Sequence, residues 1–138
     1  SLPQPKALVA LSPCTTQVDR LPSHTANAAT DLMLRNAVAE GKIKIVFGSR
    51  ANDTEYLRQP TISPLYGDFS GLPPVLFSAS DTEVLLDDSK LLCEKLEKQG
   101  HRAMLDIRHG CCHAFQVFTA MPEARQALDV IFRTLEVC

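Results

Sequence analysis

Proton chemistry needs an acid or base held beside a second polar group, and two segments of this 138-residue chain carry such residues. The first holds Asp81 and Glu83; the second, about 30 residues on, is His109-Gly110-Cys111-Cys112-His113. Each follows a short run that suits a strand, and in open parallel sheets functional groups collect at the carboxyl ends of the strands. An acid after one strand and a histidine after the next form the acid–base half of a catalytic triad, in the order acid then histidine. A carboxylate on His Nδ1–H fixes the tautomer and stabilises the imidazolium formed when Nε2 takes a hydroxyl proton.

Each of these residues also has a plainer role. Ser80-Asp81-Thr82-Glu83 fits the S-x-x-E capping box, in which Glu83 reaches back to the Ser80 amide and opens a helix. His113 alone reads as a loop or helix-start histidine. Cys111 or Cys112 beside His113 could be a nucleophile, but that needs a depressed thiol pKa and an oxyanion site, and adjacent loop residues rarely aim side chains at each other. A metal site from His109, Cys111, Cys112 and His113 would ask four ligands within five residues to wrap one tetrahedral ion. No metal and no cofactor is expected. Ser12 ends an apolar run but lacks the strained elbow that presents a nucleophile. Asp87-Asp88 reads as a solvated helix face, and Phe115, Val117 and Phe118 as core or pocket wall.

Three strands must position these groups. Residues 7–12 (ALVALS) form a nearly continuous apolar run between Pro5 and Pro13, the pattern of a strand buried on both faces. Residues 75–79 (VLFSA) follow Pro73-Pro74 and read the same way, and residues 103–108 (AMLDIR) lie between Gly100 and Gly110. Leu85, Leu92 and Leu96, with Leu91, recur at helical spacing after Glu83, while Lys90, Glu94 and Lys98 sit four apart on a solvated face and Gly100 ends the helix. Pro122 opens a last helix with an apolar stripe of Ala124, Leu128, Ile131 and Leu135. Residues 31–46 favour helix, although Lys42–Val46 alternates like a strand, and residues 52–68 read as a surface loop. The fold class is α/β, with three parallel strands and flanking helices in a single domain over residues 1–138.

The composition narrows the function classes. Apolar residues at 45% and charged residues at 22% are those of a globular domain, which excludes disorder. Fourteen Lys and Arg against sixteen Asp and Glu leave a net charge of −2, which offers no field to attract nucleic acid or anionic lipid. No apolar run is long enough to span a bilayer, and no targeting signal is visible at the start. Five scattered cysteines without a C-x-x-C suit a reducing compartment, so a cytoplasmic location is expected.

Several segments together resemble the C-terminal half of hormone-sensitive-lipase-type esterases, the family IV α/β-hydrolases. They are Ser63-Pro64-Leu65 through Gly71-Leu72-Pro73-Pro74, Glu83-Val84-Leu85-Leu86-Asp87-Asp88, and Gly110-Cys111-Cys112-His113-Ala114-Phe115. The stretch from Leu8 to Ser12-Pro13 resembles the strand after the nucleophile helix, and Asn27 to Asp31 the N-x-x-x-D that follows it. The resemblance implies that His113 is the catalytic histidine and Glu83 the acid, with Asp81 as the fallback and Asp87 structural. It also exposes a gap, because the chain contains no G-x-S-x-G and no H-G-G-type oxyanion loop. In the family both come earlier, in a part of roughly equal length.

What remains resembles half an active site on a partial α/β-hydrolase fold. The strand at 7–12 would then be an apolar edge that templates association. The expected partner is a second copy in a homodimer, or the missing N-terminal half, with a small-molecule ester as substrate once the site is complete. The reaction class implied is carboxylic-ester hydrolysis by a carboxylesterase or lipase. The competing expectation is a stand-alone, non-catalytic remnant of the fold that acts as a binding or self-assembling module.

Overall fold

The computed structural model describes residues 3–34 and 41–137. Three strands, β1 (Leu8–Leu11), β2 (Val75–Ser80) and β3 (Ala103–Arg108), form one parallel sheet in the order β1-β2-β3. The register sets Leu8 beside Val75 and Leu11 beside Ser78, then Val75 beside Ala103 and Ser80 beside Arg108. The helices are α1 (Pro22–Ala26), α2 (Gly41–Phe47), α3 (Thr54–Leu57), α4 (Leu86–Lys98) and α5 (Pro122–Glu136). The alternating stretch 42–46 is therefore helical, within α2, while residues 32–34 are turn and residues 35–40 lie outside the described ones.

Strand β2 is central, and every one of its residues is buried. Val75 and Phe77 pack with Leu92, Cys93 and Leu96 of α4 into one cluster. Burying a side chain such as Leu96 fully is worth roughly 1.5–3 kcal/mol, so this seam carries much of the stability. The alternate side chains of β2 face the other way. There Gln116 Nε2 donates to the Ser78 carbonyl and hydroxyl, at 3.1 and 2.8 Å. α5 packs on β2 and β3 and closes a second cluster of Cys111, Phe115, Ala124 and Ala127.

Helix α4 ends as the sequence indicates. Gly100 has φ +81°, the His101 amide donates to Leu96 O and the Gly100 amide to Glu97 O, which is a Schellman stop.

Several expectations are corrected. β1 is not buried on both faces, since Leu8 and Leu11 are 37% and 38% exposed; among the described residues β1 has a sheet neighbour on one side only. α4 begins at Leu86, after an N-cap at Leu85, because β2 continues through Ser80. Ser80 and Glu83 therefore form no capping box. Residues 52–68 are not all surface loop, as they include α3 and a 3-10 turn at Pro64–Tyr66, and Leu57 and Ser63 are buried. Asp88 is fully buried rather than solvated, and of the three residues assigned to core or pocket wall only Phe115 is buried, Val117 and Phe118 being exposed. Ala127 joins Ala124 and Ile131 on the buried face of α5, while Leu135 is exposed.

Candidate active site

The carboxyl ends of β2 and β3 lie side by side, and the loops that leave them are tied together. Thr82 Oγ1 donates to Cys111 O at 2.7 Å, the Cys111 amide donates to Ser80 Oγ at 3.1 Å, and the Asp81 amide donates to Arg108 O at 3.0 Å. These bonds fix the second loop against the first and bring Glu83 to His113.

Glu83 is 0% exposed and His113 Nδ1 is 3.5 Å from its Oε2, with 21% of the histidine side chain exposed. Neither Glu83 oxygen nor His113 Nδ1 has a hydrogen-bond partner among the described residues. A buried carboxylate without donors is costly, so its nearest proton-bearing neighbour governs what it can do. At 3.5 Å the contact is just beyond a good hydrogen bond, and such contacts tighten when substrate completes a site.

Asp81 does not meet His113. Its Oδ2 lies 2.5 Å from His109 Nδ1, and its Oδ1 accepts the Gly110 amide at 2.8 Å. Partial burial pushes the Asp81 carboxyl up, but the Gly110 amide and the His109 imidazole outweigh it and hold the group below the ordinary carboxylate range. His109 is 92% exposed, so this pair staples the loop at the surface. Asp87 accepts the Ser23 amide at 2.8 Å and has no contact with either site histidine.

The cysteines have no part in this pairing. Burial pushes the Cys111 thiol up, the reverse of what a nucleophile needs. His109, Cys111 and His113 diverge, toward solvent, the interior and Glu83 respectively. Among the described residues no cluster of three or more His, Cys, Asp or Glu side chains could hold a metal ion.

Ser12 corrects another expectation. It has φ +47°, a strained backbone, yet it is buried and its Oγ accepts the Ala114 amide at 3.1 Å. Ala114 is itself at φ +52°. Ser12 therefore anchors the residue after His113 instead of presenting a hydroxyl. Sequence reasoning missed this, and the adjacency of Ser12 to Pro13 at a strand end was the available signal.

A family model of the alpha/beta hydrolase fold matches residues 1–117. The chain belongs to the alpha/beta hydrolase family. An esterase of Acinetobacter venetianus is 44% identical to this chain over 70 residues, 50% of the chain and 23% of that esterase. Esterase LipU of Mycobacterium tuberculosis is 32% identical over 130 residues, 93% of the chain and 44% of that protein. The crystal structure of an esterase from the bacterial hormone-sensitive lipase family is similar with a TM-score of 0.83 at 32% identity, over 96% of this chain and 43% of that one. The match fits the C-terminal part of hormone-sensitive-lipase-type hydrolases. The chain spans less than half the length of these relatives. Among the described residues, no helix is long and apolar enough to cross a membrane.

Proposed function

We propose that this chain supplies the acid and the histidine of a carboxylic-ester-hydrolysing triad, with Glu83 orienting His113 and the serine contributed from outside these 138 residues. The observation that carries the reading is the fully buried, otherwise unpartnered Glu83 carboxylate facing His113 Nδ1. The printed names of the relatives, esterases among them, support the substrate class. In this scheme Nε2 of His113 takes the serine hydroxyl proton as the serine oxygen bonds to the ester carbonyl carbon. The proton then passes to the departing alkoxide, and water repeats the sequence to release the acid. The open edge of β1, with Leu8 and Leu11 exposed, is where the serine-bearing part or a second copy pairs. Cysteine usage supports a reducing, cytoplasmic setting.

The test is a chimera in which this chain replaces the matching part of a hormone-sensitive-lipase-type esterase that retains its own G-x-S-x-G. A cooperatively unfolding chimera is expected to hydrolyse p-nitrophenyl butyrate and to lose about 10⁴-fold in kcat with His113→Ala. The 138-residue chain alone is expected to stay at the buffer rate. Sedimentation of the chain and the chimera reads whether covering the β1 edge removes self-association. A folded but inactive chimera, or activity indifferent to His113→Ala, overturns the reading.

A further inference from the structure

Residues 81–85, between β2 and α4, form no helix or strand, so the peptide groups around Glu83 need other partners. Those partners come from a segment 52 to 56 residues away in sequence. Asn27 Nδ2 donates to the carbonyls of both Asp81 and Glu83, each at 2.9 Å. Thr30 Oγ1 lies 3.0 Å from Thr82 O and shares its one proton with Asn27 O at 3.1 Å. The buried Asp31 accepts the Val84 amide at 2.9 Å through Oδ2, while its Oδ1 takes the Met33 and Leu34 amides at 3.0 and 2.8 Å. Each residue from Asp81 to Val84 thus has one peptide group held by residues 27–31.

We propose that Asn27, supported by Thr30 and Asp31, is the positioning residue for Glu83. The inference rests on the Glu83–His113 reading above. A carboxylate with no hydrogen bond of its own gains more from water than from the interior, so a free loop would turn it outward. Asn27 opposes that rotation because both hydrogens of its amide are committed to carbonyls on either side of Glu83, which leaves the peptide no alternative orientation. The backbone, and not the carboxylate, is what the clamp grips. The carboxylate's hydrogen-bonding capacity therefore remains for the imidazole.

The experiment follows the imidazole protons of the 138-residue chain by ¹H–¹⁵N NMR. The wild-type chain is expected to show His113 protonated at Nδ1, with slow solvent exchange. Glu83→Ala is expected to remove that signature; if it leaves the signature unchanged, the underlying reading fails and this inference with it. Asn27→Ala removes both Nδ2 hydrogen bonds and is expected to speed His113 Nδ1–H exchange roughly thirtyfold, two hydrogen bonds of ordinary net worth. The His24 Nε2–H signal, on its Asp88 partner 2.6 Å away, should persist as an internal control for folding. Thr30→Val, at an exposed site, is expected to act in the same direction but more weakly, and it decides the matter if Asn27→Ala does not fold. Exchange unchanged in the folded variants, while Glu83→Ala abolishes the signature, overturns the positioning role.

Discussion

Two places in this molecule set a fully buried carboxylate against a histidine, and they are built differently. Under α4, Asp88 Oδ1 accepts from the Thr15 amide at 2.6 Å, the Thr15 hydroxyl at 3.1 Å and the Thr16 amide at 3.2 Å, while Oδ2 meets His24 Nε2 at 2.6 Å. At the strand ends, the Glu83 carboxylate has no hydrogen bond among the described residues and His113 Nδ1 stands 3.5 Å off. The same two chemical groups are saturated in one place and left open in the other. A saturated network rigidifies the structure; an open one in the interior is tolerated where the groups must exchange partners during work. Free hydrogen-bonding capacity, rather than mere proximity of acid and base, separates the candidate active site from the structural pair.

The hardest test of that contrast is Asp88→Ala. It leaves the Thr15 and Thr16 amides and His24 without their acceptor, and it should cost about 3–5 kcal/mol. Calorimetry should show the melting point lowered by roughly 10 °C or more. A loss under about 1 kcal/mol would erase the difference between the two pairs.

Glu83→Gln sharpens the contrast from the other side. It keeps the shape of the side chain and removes no hydrogen bond, so urea unfolding should show stability within about 1 kcal/mol of the wild type even though the site is disabled. A loss comparable to that of Asp88→Ala would instead make Glu83 a structural group.

The exposed Asp81–His109 pair should matter least, with Asp81→Asn costing under about 0.5 kcal/mol at neutral pH. Its sign with pH follows from the lowered Asp81 pKa. The contribution is complete above the unfolded carboxylate value near about 3.9 and disappears as pH falls through the lower folded value. Asp81→Asn should therefore flatten the stability profile below about pH 4, and urea midpoints across that range would read it. An unaltered slope would remove Asp81 from the loop's electrostatics.

Local punctuation made much of the fold legible. Pro73-Pro74 before β2, Gly100 after α4 and Pro122 at the start of α5 each impose a backbone state that neighbours seldom override. The capping-box reading of Ser80–Glu83 failed because it is a local rule applied where a sheet was still running. Ser80 is paired in register with Arg108, and its hydroxyl accepts the Cys111 amide. Asp87-Asp88 misled for a related reason. Adjacent carboxylates favour solvent on average, but a second segment, residues 15–24, brings enough donors to bury one of them.

The sequence by itself determined the three strands, the two long helices, the family resemblance and the short set of acids and histidines near the strand ends. Only the tertiary structure decided which acid meets which histidine: Asp81 with His109, Glu83 with His113, Asp88 with His24. Those matches depend on the β2–β3 register, on the turn that 27–31 imposes on 81–84, and on what lies beneath α4. All three are long-range contacts, and the propensities of residues a few positions apart do not encode them.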